Sequence, residues 1–60
     1  MNGTKLEMHV ALTRAEVWIE DQKLKFREDV AEFVCCIRDY EGEEEAAQII
    51  EILMDVLPSR

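Results

Sequence analysis

The chain has 60 residues, of which 14 are Asp or Glu and 7 are Lys or Arg, so its net charge is −7, and 48% of the residues are hydrophobic. A chain of this length forms one domain (residues 1–60) and is too short to surround a catalytic cleft or a dinucleotide site, so we predict a protein that is not an enzyme. The hydrophobic fraction is typical of a folded domain and not of a disordered chain.

Apolar and polar side chains alternate at the start of the chain. The apolar members of this pattern are Leu6, Met8, Val10 and Leu12. Strict alternation predicts a half-buried strand at about residues 5–13. Two further strands at about residues 16–20 and 23–27, joined as a hairpin around Asp21 and Gln22, would present a continuous apolar face with the first.

The outer side of this predicted hairpin carries an aromatic side chain opposite a basic one. Trp18 would face Lys25 across the two strands, as a cation beside an aromatic ring. Tryptophan is enriched among the residues that anchor protein interfaces. We therefore predict Trp18 and Lys25 as an aromatic contact site.

A helix is the alternative for the same segment. Thr13 and Glu16 have the spacing of a capping box, and Leu12 with Val17 has that of a hydrophobic staple. A helix starting there would make the protein an all-α helical hairpin with a long first helix. The apolar residues of the segment scatter around a helical wheel, however, and this favours strands.

The period changes after Arg27, where apolar residues recur every three or four positions. They are Phe26, Val30, Phe33, Ile37 and Tyr40. This pattern predicts an amphipathic helix at about residues 28–41 that ends near Gly42, followed by a second helix at about 43–57 that Pro58 stops. The predicted fold is α+β, a small three-stranded antiparallel β-meander followed by two amphipathic helices.

The second predicted helix is apolar over an unusually wide arc. At 100° per residue its apolar side chains cover about 220°, more than one neighbouring element can bury. Packing of the surplus face against a second copy of the chain would also help so short a protein to reach a stable fold. We therefore predict a homodimer whose interface contains Ile49, Ile52, Leu53 and Val56.

Acidic residues are concentrated in the second half of the chain. Residues 28–60 hold ten acidic side chains against two basic ones. This excess opposes direct binding to nucleic acids or to anionic membranes and favours a protein partner with a basic surface. The candidate partner-binding residues are Glu41, Glu43, Glu44, Glu45, Glu51 and Asp55. The glutamates at positions 43–45 also complement the dipole at a helix start.

Cys35 and Cys36 are adjacent, and the chain has no other cysteine. They cannot form the spaced disulfide framework of small secreted domains, and we expect them to be small packing residues in a reducing compartment. The longest uncharged run is far below the 18 or so residues that span a bilayer, and the N-terminus does not have the pattern of a signal peptide. We predict a cytoplasmic protein without metal or cofactor.

Together these patterns predict a small acidic regulator that binds another protein. It would act as an inhibitor that occupies a basic surface, such as one that otherwise meets nucleic acid. One alternative is a homodimerisation or assembly module whose function is its apolar helix face. A weaker alternative is a thiol-based sensor that uses Cys35 and Cys36.

Overall fold

The protein folds as four α-helices within residues 7–60, the part of the chain that the computed structural model describes. They are α1 (Met8–Gln22), α2 (Arg27–Ala31), α3 (Val34–Glu41) and α4 (Glu43–Val56). Residues 7–60 contain no β-strand. The predicted α+β class with its three-stranded meander is therefore wrong, and the all-α alternative fits the structure.

Helix α1 takes the place of most of the predicted sheet. The strands predicted at about 5–13 and 16–20 fall largely on α1, although residues 5 and 6 lie outside the described residues. The strand predicted at about 23–27 falls mainly on the segment that joins α1 to α2. The capping box predicted from Thr13 does not form, because α1 begins five residues earlier. The Thr13 hydroxyl instead donates a hydrogen bond to the His9 carbonyl within the helix (2.8 Å).

The buried face of α1 has helical spacing. Ala11, Ala15 and Trp18 follow one another at four and three residues, and all three are buried. Met8 and Leu12, whose alternation predicted a strand, are 76% and 41% exposed. The strand prediction was wrong because it gave the large apolar residues to the core, whereas two alanines and one tryptophan provide the actual contact surface.

The helix predicted at about 28–41 is divided into α2 and α3. Phe33, with φ −112° and ψ 4°, lies at the break between them. At the start of α2, the Asp29 carboxylate accepts hydrogen bonds from the backbone N–H groups of Lys25 (2.9 Å) and Phe26 (3.0 Å). This contact stabilises the bend before α2 because it gives the two N–H groups that precede the helix a charged acceptor in its first turn.

A single residue, Gly42, connects α3 to α4, at the position where the sequence predicts a helix end. Its φ of 99° and ψ of 155° lie in a region that residues with a Cβ rarely adopt. An added Cβ would lie 2.9 Å from the Oε1 atom of Glu45. Glycine therefore permits the sharp reversal that packs α3 against α4.

Helix α4 is the centre of the fold and contacts each of the other three helices. Its residues Ile49 and Leu53 are fully buried, as are Val30 of α2 and Ile37 of α3. The other members of this core cluster are Ala15, Trp18, Leu24, Ala46 and Leu57. Three neighbouring helices thus cover much of the wide apolar arc of α4 within one chain.

The end of the chain is attached to α2. The Pro58 carbonyl accepts a hydrogen bond from the Arg27 backbone N–H (2.9 Å), and the Leu57 carbonyl accepts one from the Arg27 side chain (3.0 Å). The Glu28 carboxylate accepts hydrogen bonds from the Ser59 hydroxyl (3.2 Å) and the Arg60 backbone N–H (3.0 Å). The pKa of Glu28 is lowered, first by a hydrogen bond from its own backbone N–H and then by the one from the Arg60 backbone N–H, because both stabilise the charged carboxylate.

Candidate functional site

A polar cluster joins α1 to the end of α3. The Arg14 guanidinium pairs with the Glu41 carboxylate through its Nη2 atom (2.7 Å) and its Nε atom (3.2 Å to Oε2). The Trp18 indole N–H donates to the same Oε2 atom (2.8 Å). The Glu41 side chain is 8% exposed and that of Arg14 is 36% exposed. The hydrogen bond to Glu41 raises the pKa of Arg14 above its ordinary value, against the opposing effect of burial.

A surface pocket of about 320 Å³ lies beside this cluster, between α1 and α3. It is lined by Arg14, Val17, Trp18, Asp21, Gln22 and Tyr40, and we call it the α1–α3 pocket. Tyr40 is 75% exposed, and its ring meets Trp18 edge to face, with ring centroids 6.0 Å apart. The Arg14 guanidinium carbon lies 5.9 Å from the centroid of the Tyr40 ring. One wall of the pocket is therefore an accessible aromatic ring.

The structure does not bring Trp18 and Lys25 together as the sequence predicted. Trp18 is buried, whereas Lys25 is exposed in the segment after α1. The sequence prediction missed Arg14 and Tyr40 as the polar and aromatic neighbours of Trp18. Arg14 and Trp18 are four residues apart, a spacing that places them on one face once the segment is taken as a helix. No comparable signal in the sequence points to Tyr40.

The six candidate acidic residues differ in their environment. Glu41 is occupied by Arg14 and Trp18 and faces inward. Glu45 is half-buried, while Glu43, Glu44, Glu51 and Asp55 are exposed. Glu43, Glu44 and Glu45 form the first turn of α4, where their charge complements the helix dipole. Only the four exposed residues are thus open to a partner.

Glu44, Glu51 and Asp55 lie along one outward face of α4, which we call the α4 acidic face. Their spacing of seven and four residues keeps them within about 40° of one another on the helix and extends over about 17 Å. None of the three makes an ion pair with another residue of the range 7–60. The face therefore carries three exposed carboxylates without ion pairs, and Arg27 is the basic residue that lines the same surface depression as Glu51 and Asp55.

The four residues predicted for a dimer interface also differ in exposure. Ile49 and Leu53 are fully buried in the core of the chain itself, so they cannot contact a second copy without unfolding. Ile52 is half-buried and Val56 is 54% exposed. The prediction assigned too many residues to a second chain because it counted the apolar arc of α4 without the small helix α2 and the buried face of α1.

Both cysteines are exposed free thiols on α3, whereas the sequence predicted small packing residues at these positions. The Arg38 Nη2 atom lies 3.8 Å from the Sγ atom of Cys35. Within residues 7–60, no group of three or more His, Cys, Asp or Glu side chains is arranged to hold a metal ion. No helix in the same range has the length and apolar character needed to cross a membrane.

Comparison of the chain with protein-family models, with curated proteins and with solved structures found no match.

Proposed function

We propose that this protein is a small, non-enzymatic regulator that binds a basic surface of a partner protein through the α4 acidic face. The observation that carries the proposal is the row of Glu44, Glu51 and Asp55, exposed on one side of α4 and without ion pairs among the described residues. The net charge of −7 adds long-range attraction toward a basic partner.

The buried side of α4 supports this proposal. Ile49 and Leu53 anchor the helix in the core, and the three other helices pack against it. The carboxylates of the acidic face therefore project from a firmly held helix, and binding would not require ordering of the backbone, which lowers the entropic cost of association.

The same charge disfavours nucleic acid as the direct ligand, since phosphate binding requires basic side chains. A partner whose basic surface otherwise binds nucleic acid would be blocked by competition, which makes inhibition the proposed mode of regulation. We propose the cytoplasm as the compartment, because a reducing environment preserves exposed free thiols such as Cys35 and Cys36.

The test compares two double variants with the same change in charge. Glu51→Lys/Asp55→Lys reverses the two charges of the acidic face that lie beyond the first turn of α4. Glu16→Lys/Glu20→Lys reverses two exposed acids of α1 with the same four-residue spacing. Each variant is used as bait in quantitative pull-downs from cells of the source organism, at low and moderate salt.

We expect basic proteins to be captured by the wild-type protein and by the α1 variant, and to be lost with the α4 variant. Capture should also weaken as salt rises, because exposed charges are screened. Equal capture by both variants would show that position on α4 is irrelevant and would refute the proposal. Circular dichroism and thermal melts of both variants check that each remains folded.

Self-association is a second candidate function, favoured by apolar side chains around the end of α4. Met8, Ile52 and Met54 line one shallow depression of about 440 Å³ together with the charged residues Arg27, Glu51 and Asp55. Val56 of α4 is also exposed. Light scattering after size exclusion, with reductant present, tests this function. A dimer that Ile52→Glu converts to a monomer supports it, whereas a wild-type monomer at all concentrations measured excludes it.

A further inference from the structure

The α1–α3 pocket gathers three residue types that dominate the energetics of protein interfaces. Tryptophan, tyrosine and arginine are the side chains most enriched among interface hot spots. Trp18, Tyr40 and Arg14 all line this one pocket. The pocket lies between α1 and α3, whereas the α4 acidic face contains no residue of either helix.

The charges around the pocket indicate the charge of the group that it binds. Arg14 is engaged by Glu41 through two guanidinium nitrogens, so its positive charge is already compensated. Asp21 also lines the pocket and makes no ion pair with a described residue. The uncompensated charge at the pocket is therefore negative, which favours a cation and disfavours an anionic group.

The walls of the pocket suit a long cationic side chain. Val17 and the ring of Tyr40 are both exposed apolar surfaces beside Asp21. Lysine and arginine place an aliphatic stem along apolar surface and keep the charged group at its edge. The Arg14 guanidinium lies over one face of the Tyr40 ring, so cation–π attraction for that group would come from the opposite face of this exposed residue.

We propose that the α1–α3 pocket binds a lysine or arginine side chain of a protein partner. The stem lies against Val17 and Tyr40, and the cationic group lies at the Asp21 carboxylate. This contact lies on a different surface from the α4 acidic face. It has in common with the proposed function only that the partner is positively charged.

The experiment uses the full chain labelled with ¹⁵N and an octalysine peptide as the probe. Titration is followed at the amide resonances of Asp21 and Tyr40 and at the indole N–H of Trp18, the only tryptophan. We expect saturable shifts at these three positions. A peptide of eight Nε-acetyl-lysines keeps the stems but removes the charges, and it should produce no shifts.

Asp21→Asn and Asp55→Asn form a matched pair, since each removes one exposed carboxylate and only the first lies in the pocket. Asp21→Asn should weaken binding at the pocket about twofold to fivefold, the usual effect of one exposed ion pair. Asp55→Asn should change it by less. Tyr40→Ala should also weaken it about twofold to fivefold, and Tyr40→Phe should restore it because the ring is kept.

Equal effects of Asp21→Asn and Asp55→Asn, or shifts confined to α4, would overturn the inference. Shifts confined to α4 would leave the proposed function intact, since they would place the cation on the acidic face alone. Conversely, the Glu51→Lys/Asp55→Lys variant could keep both the pocket shifts and the capture of partners. That result would support the pocket and refute the α4 acidic face as the binding surface.

Discussion

Replacement of Glu41 by alanine tests the contact that joins α1 to α3. The substitution leaves the Arg14 guanidinium without its carboxylate and the Trp18 indole N–H without its acceptor. Arg14 is partly exposed and can be solvated, so we assign its ion pair about 1 kcal/mol, the upper part of the range for exposed pairs. An unsatisfied donor on the buried Trp18 costs about 1–2 kcal/mol more.

The expected loss in the free energy of unfolding is therefore about 2–3 kcal/mol. Domains of this size have a total stability of only a few kcal/mol, so this loss is large. It corresponds to a fall in the melting temperature of roughly 10–20 °C. Urea unfolding followed by circular dichroism measures it, and the fluorescence of Trp18 reports the same transition from within the cluster.

Two control variants separate the components of this loss. Glu41→Gln keeps an oxygen for the Trp18 indole N–H but removes the charge, and it should lose only about 1 kcal/mol. Glu51→Ala removes an exposed acid without an ion pair in the middle of α4 and should change stability by less than about 0.5 kcal/mol. If Glu41→Ala lowered the free energy of unfolding by less than about 0.5 kcal/mol, the cluster would not hold α1 against α3.

Three further substitutions test the turns between the helices. Lys23 ends α1 in the left-handed conformation (φ 54°, ψ 48°), so Lys23→Gly should stabilise the fold by about 0.5–1 kcal/mol, measured as a higher urea midpoint. Gly42→Ala should destabilise it by about 1–3 kcal/mol in the same assay, because alanine disfavours a φ of 99°. The pKa of Asp29 is lowered, mainly by hydrogen bonds from the N–H groups of Lys25 and Phe26. The contribution of the Asp29 carboxylate to stability is present above its unfolded-state pKa and is lost as the pH falls through the folded-state pKa. The free energy of unfolding should therefore fall less at acidic pH in Asp29→Asn than in the wild type. Urea titrations at a series of acidic pH values measure this difference.

The second half of the chain was the more predictable half because its signals are local. Three glutamates, an apolar period and a proline delimit α4, which runs from Glu43 to Val56 against a predicted 43–57. The end of α3 at Gly42 could be predicted, because the conformation found there requires a residue without a Cβ. The break at Phe33 gave no such signal, since Phe33 fits the apolar period of the predicted helix and is half-buried in the structure.

The prediction for the first half was wrong because the large apolar side chains there follow the period of a strand, whereas the residues that are buried at helical spacing are mostly small. Met8, Val10 and Leu12 alternate as in a strand, and the same segment offers Ala11, Ala15 and Trp18 at helical spacing. Alanine carries little weight in a hydrophobic pattern, so the sequence alone favoured the larger side chains. Packing decides otherwise, because small residues allow α1 to lie close to α4.

The sequence by itself determined the negative charge, the helical nature of α4 and the concentration of acid in residues 28–60. These properties follow from composition and from interactions between residues close together along the chain. Only the tertiary structure decided that Glu41 turns inward to Arg14 while Glu51 and Asp55 remain in solvent. These carboxylates look equivalent in the sequence, but only Glu41 acquires partners. Arg14 and Trp18 lie 27 and 23 residues away from it along the chain, and the folding of α1 onto α4 brings them to it.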